Sequence, residues 1–168
     1  MKKGKEIMTK KLIAVIGVII AILILFTACS ATAATKPEPV EGAETCEISG
    51  ECWVEVGDGI VTVYGTSDIM EGTNGTISVY SSVGKEYGLE KITQAEENGI
   101  LSAEFKIEDN WADDVYGFLV FDTSQSDRQL DEVKAVYGDK FQNIVGDNTV
   151  FSSQGVAVVF QSKLAKIR

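Results

Sequence analysis

The chain has 168 residues, of which 45% are hydrophobic and 24% charged, with 16 glycines and two prolines. That composition belongs to a globular protein of one ordinary domain plus an export segment, and excludes collagen-like, low-complexity and wholly disordered classes. Histidine is absent, which removes Ser-His-Asp and Cys-His catalysis, His-ligated zinc and imidazole proton shuttles. The formal net charge of -10 speaks against nucleic acid as a partner, because phosphates require a basic footprint.

The N-terminus begins with five lysines (Lys2, Lys3, Lys5, Lys10, Lys11) and continues into an unbroken apolar run from Leu12 to Phe26. These are the basic and hydrophobic regions of an export signal, expected over residues 1–28 as a helical segment. The run ends in Leu25-Phe26-Thr27-Ala28-Cys29-Ser30, which resembles the lipobox of bacterial lipoproteins. The resemblance implies that Cys29 takes a diacylglyceryl group on sulfur and becomes the mature N-terminus. Phe26 departs from the pattern, standing where the family usually has Leu. Two other readings stay open. The stretch from Leu12 to Thr35 is free of charge and long enough to remain as a membrane anchor. Ordinary cleavage near Ala31 to Ala34 would instead release a free domain. All three place the domain outside the cytoplasm, and the first holds it at the cell membrane by acyl-chain transfer. Without the five leader lysines and Glu6, ten basic and twenty-four acidic residues remain, a net of -14.

Residues 29–51 read as a tether. They are rich in Ala, Thr and Glu, with Lys36-Pro37-Glu38-Pro39 favouring an extended path. Cys46 and Cys52 stand six apart, and an oxidising compartment makes a disulfide between them the first expectation, worth about 2.4 kcal/mol by loop closure. Free thiols remain an alternative. The spacing does not fit the C-x-x-C of redox enzymes.

From residue 52 to 168 the pattern is period two, broken by Gly, Asn and Asp. Trp53–Val56 and Ile60–Tyr64 are β-branched and aromatic runs on either side of Gly57-Asp58-Gly59. Thr76–Ser81 alternates, and so does Leu101–Glu108 with Leu101, Ala103, Phe105 and Ile107 on one face. Asn98-Gly99 just before it carries a type I′ hairpin signal. Val115–Phe121 is apolar on both faces and predicts a central strand; Gly155–Phe160 predicts the last one. Leu130, Val133 and Tyr137, between an N-cap at Ser126 or Asp127 and a stop at Gly138, predict one short helix near 127–137. The expected architecture is mainly β, a two-sheet sandwich of about seven strands.

Four stretches give the mature chain a further resemblance. They are Val61 to Asp68 with Gly72-Thr73, Asn98-Gly99 ahead of Phe105, Trp111 to Val120, and Val136 to Gly146 leading into the final strand. Together they resemble a secreted immunoglobulin-like β-sandwich module of bacterial cell-surface lipoproteins. The third stretch matches the tyrosine-corner pattern, with Tyr116 two residues before Phe118, which takes the place of the disulfide cysteine of antibody domains. The resemblance implies a non-catalytic module that binds or spaces a cell-envelope protein or glycan, and it brings no catalytic residue.

Two chemistries are weighed beside that reading. Asp109, Asp113 and Asp114 surround Trp111 and could offer oxygens to calcium, although no EF-hand spacing is present; a solvated turn with Trp111 capping the core is the plainer expectation. Trp53, Tyr64, Tyr80, Tyr87 and Tyr116 could stack on a sugar if several face outward together, although most are expected in the core or on a sheet face.

Overall fold

The computed structural model describes residues 36–124, 128–152 and 154–168. The leader expected over 1–28, its expected lipid-attachment residue Cys29 and the helix-cap candidates Ser126 and Asp127 lie outside the described residues. Among the described residues, no helix is long and apolar enough to cross a membrane.

The fold is mainly β. In chain order the elements are β1 (Cys46–Glu47), β2 (Gly50–Gly57), β3 (Ile60–Ser67), β4 (Asn74–Ser81), β5 (Glu86–Thr93), β6 (Leu101–Lys106) and β7 (Asp114–Phe121). Helix α1 (Asp131–Tyr137) is followed by β8 (Ile144–Val145), β9 (Thr149–Ser152), β10 (Gly155–Gln161) and β11 (Ala165–Lys166). One sheet has the order β2-β3-β6. A larger one has the order β5-β4-β7-β10-β9, with β11 pairing β7 beside it. β1 pairs β8 in a separate parallel ribbon, Cys46 opposite Ile144.

Alternation decides which face of each strand is buried. In β3, Val61 and Val63 are fully buried while Thr62 and Tyr64 are half-exposed. Their antiparallel neighbours Phe105 and Ala103 on β6 join them. Ile77, Val79, Leu119, Phe121, Val158 and Phe160 of the larger sheet complete the same cluster, so the two sheets pack face to face as in a β-sandwich. Glycines make room for this packing, and at Gly88 on β5 an added Cβ would come within 2.5 Å of Phe105 Cδ1 on the other sheet. A Cβ on Gly117 would come within 2.6 Å of Val63 Cγ1 and 2.8 Å of Val54 Cγ2, and one on Gly65 within 2.6 Å of Leu119 Cδ2.

The β2–β3 hairpin turns through Asp58 and Gly59, both at positive φ (50° and 77°), as a two-residue type I′ turn requires. The Asn98-Gly99 signal has a different outcome. Asn98 does adopt φ 56°, but β5 and β6 on either side belong to different sheets, so the segment is a crossover and not a hairpin. Strand β5, an edge strand with the pattern Glu86–Thr93, is absent from the sequence expectations.

Helix α1 is shorter than expected, starting at Asp131 with Leu130 at its N-cap and no side-chain cap. Val133 and Tyr137, four residues apart, face the core. Gly138 ends the helix at φ 83°, donating its N–H to the Lys134 carbonyl at 2.8 Å. The folded body also begins earlier than residue 52. Ile48 is a core residue, Cys46 and Glu47 form β1, and the Val40 N–H reaches the Asn143 side-chain oxygen at 2.9 Å. The extended character of 36–45 therefore ends against the body, because Asn143 offers both its side chain and its main-chain carbonyl, the latter to the Cys46 N–H at 2.9 Å.

Candidate functional site

The outward face of the β2-β3-β6 sheet brings an aromatic pair together with exposed carboxylates. On β2, Cys52 and Val54 point between the sheets, so Glu51, Trp53 and Glu55 point away from them. The antiparallel register sets Trp53 opposite Tyr64 and Glu55 opposite Thr62; on β6, Ser102 lies opposite Tyr64 and Glu104 opposite Thr62. The Trp53 and Tyr64 rings stack, centroids 5.4 Å apart and planes 12° from parallel. Both are half-buried, whereas Glu51, Glu55, Glu104 and Lys106 are exposed. An aromatic pair framed by carboxylates can offer π-faces to a CH-rich or cationic group and acceptors to its polar edges.

A second Trp–Tyr stack is closed. Trp111 lies on Tyr87, centroids 4.4 Å apart and planes 7° from parallel, and is buried. The Ala112 N–H donates to the Tyr87 hydroxyl at 2.6 Å. The Arg168 guanidinium donates to the carbonyls of Glu108 (2.9 Å), Asp109 (3.3 Å) and Trp111 (3.2 Å). This loop holds Asp109 and Asp113, and Asp114 starts β7. Backbone oxygens that a calcium loop would turn toward its ion here accept from a cation of the protein itself. Among the described residues no group of three or more carboxylate or thiol side chains is arranged to hold a metal ion, so the three aspartates are not brought together as a site. Asp114 Oδ1 is buried without a hydrogen-bond partner among the described residues.

Tyr116 is not a tyrosine corner. Val115, Leu119 and Phe121 belong to the core between the sheets, which leaves Tyr116 and Phe118 on the opposite face of the larger sheet. There they pack with Tyr80, Val120 and Val159, Tyr80 meeting Phe118 edge-on at 5.5 Å. Because β7 is apolar on both faces, sequence alone did not fix which set faces inward. The corner-like role falls to other tyrosines: the Tyr137 hydroxyl accepts from the Met70 N–H at 2.9 Å, and Tyr87 holds Ala112. Burial raises the Tyr137 phenol above its ordinary pKa; burial, with Glu86 at 2.5 Å, raises that of Tyr80.

The expected Cys46–Cys52 disulfide is not formed; both thiols are free. Cys46 runs beside β8, whereas Cys52 is drawn into the space between the sheets, so the 46–52 segment spans two sheets instead of folding back on itself. Burial pushes the Cys52 thiol up to about 12, partly opposed by backbone groups of Leu119 and Ser162. Burial and then Glu44 raise the Cys46 thiol. Neither thiol is activated as a nucleophile.

Sequence reasoning missed Gln129 and Asn143, both buried. Gln129 accepts from the Asn74 N–H at 2.9 Å and donates to the Asn74 and Asp122 carbonyls at 2.8 and 3.2 Å, bridging the start of β4 to the end of β7. A polar amide flanked by loop residues gives no periodic signal.

No protein-family model matches the chain, and no curated protein or solved structure matches it either.

Proposed function

We propose that this chain is a lipid-anchored, extracytoplasmic lipoprotein whose immunoglobulin-like β-sandwich binds a partner of the cell envelope without catalysing a reaction. The strand order supports the finer fold reading. β2, β3 and β6 correspond to strands A, B and E of such a sandwich, and β5, β4, β7 and β10 to C′, C, F and G. β8, β9 and α1 then lie between F and G. The basic-apolar leader ending at Cys29 supports the location. The observation that carries the binding role is the Trp53–Tyr64 stack on an open sheet face, since an aromatic pair in contact with water retains unspent apolar area.

Two measurements test the proposal. Labelling cells with palmitate should mark the chain, and Cys29→Ala should abolish the label and move the protein out of the membrane fraction. An unlabelled protein that stays membrane-embedded would replace the lipid anchor with a retained helix. Full-length protein in detergent should co-sediment with isolated envelope material, and Trp53→Ala should remove most of that binding. Binding unchanged by Trp53→Ala would rule out this face.

A further inference from the structure

The outward face of the β2-β3-β6 sheet has a definite charge as well as an aromatic centre. Glu51 and Glu55 stand on either side of Trp53 along β2, at alternate positions of one strand face. At about 3.4 Å per residue they lie about 7 Å from Trp53 in each direction along the strand. Across the strands, Glu55, Thr62 and Glu104 form one row, so Glu55 and Glu104 are separated by two strand spacings, about 10 Å. Lys106 is the only cationic residue paired onto this face in the register of the three strands. Three carboxylates against one ammonium leave the face negative, within a mature chain of net charge -14. The carboxylates are too widely spaced to close on one ion, but Glu51 and Glu55, on either side of Trp53, match alternate side chains of an extended segment running along β2, with Glu104 to one side.

We infer that this face receives a lysine-rich extended peptide segment along β2, one ammonium over the Trp53–Tyr64 pair and its alternate neighbours on Glu51 and Glu55, with the Glu104 carboxylate beside them. The inference rests on the reading of this face as the binding surface. Charge complementarity selects this occupant. An ammonium over an aromatic face is attracted by the ring quadrupole, and more strongly when partly desolvated. The alternate positions of an extended chain repeat about every 7 Å, the interval between Glu51, the aromatic pair and Glu55. An anionic glycan would meet repulsion at all three carboxylates, and a neutral one would leave their charge unused. The acidic body also steers a basic segment from a distance, which makes encounter dependent on salt.

The test uses the full chain in detergent, with decalysine as the probe and a neutral chito-oligosaccharide beside it, following the indole N–H signals of Trp53 and Trp111 by NMR. Decalysine should shift the Trp53 signal saturably and leave the buried Trp111 signal in place, which also reports an intact fold. Affinity should fall at least tenfold between 50 and 300 mM NaCl and at least tenfold in Glu55→Gln/Glu104→Gln. A control removing two charges elsewhere, Glu41→Gln/Glu132→Gln, should change it less than twofold. An equal loss in the control would overturn the inference, because the attraction would then belong to the whole acidic surface. If only the oligosaccharide moves Trp53, the lysine-rich partner is wrong while the face remains a binding surface. If neither probe moves Trp53, this inference and the reading beneath it both fail.

Discussion

The two Trp–Tyr stacks put the same pair of side chains in opposite surroundings. Trp111 on Tyr87 is sealed: the tryptophan is 6% exposed, the tyrosine hydroxyl is engaged by a backbone N–H, and Arg168 spans the carbonyls of the enclosing loop. Trp53 on Tyr64 has a wider ring separation, no hydroxyl partner among the described residues, and glutamates around it. The difference lies in position, not chemistry. One pair closes the end of the core where a loop returns; the other stands on the water side of a pleated sheet. A stacked aromatic pair is thus a core element when its polar edges are satisfied internally, and part of the water-facing surface when they are not.

The sharpest way to break that contrast is to empty the sealed stack. Trp111→Ala should lower the unfolding free energy by about 3–5 kcal/mol in urea titration, since the side chain is buried and its loop cannot collapse freely over the gap. Tyr87→Phe should cost about 1–3 kcal/mol by leaving the Ala112 N–H unpaired, read by the same titration. A comparable loss for Trp53→Ala would erase the distinction; the expected cost there is about 1 kcal/mol, the value of the ring pair beyond simple area. Cys52, one residue from Trp53 on the inward side, gives a pH-dependent measure of how closed the sandwich is. Its folded thiol is raised to about 12, so between the unfolded thiol range near 8.5 and that value the unfolded chain has released a proton that the folded chain retains. The contribution of this group to stability is then constant below about pH 8 and falls as pH rises, by at most about 1.4 kcal/mol per pH unit. Cys52→Ala should flatten that slope in urea titrations at pH 8, 9 and 10. The smallest effect belongs to Glu55→Gln, within about 0.5 kcal/mol of the parent, because an exposed carboxylate on a sheet face adds little to the fold.

How much of this was legible in the sequence follows from periodicity. The alternating strands at Ile60–Tyr64, Leu101–Lys106 and Thr76–Ser81 could be read because one face is apolar and the other polar. The short helix was visible through Val133 and Tyr137, but not its start, since Leu130 serves as an N-cap without a capping side chain. Strand β7 carries no such contrast between its faces. With Tyr116, Phe118 and Val120 apolar on one face and Val115, Leu119 and Phe121 on the other, parity carries no information, and the tyrosine-corner expectation landed on the wrong side of the sheet. The disulfide expectation rested on compartment and spacing alone, neither of which reports that β1 and β2 join different sheets. Trp53 and Tyr64 were noticed individually; their pairing depends on the register of the β2–β3 hairpin, which the Asp58-Gly59 turn sets.

The short parallel ribbon of β1 and β8 has a mechanical meaning. Tension applied along residues 36–45 enters the body at the Val40–Asn143 and Cys46–Asn143 hydrogen bonds and then loads β1 against β8. Those contacts join points about a hundred residues apart in the chain, so a pull from the N-terminal side is shared with the segment leading into β9 and β10 before it reaches the hairpin bearing Trp53. The ribbon thus fastens residues 36–45 to the segment before β9, so the chain on the N-terminal side is tied to β8 before it enters the β2-β3-β6 sheet.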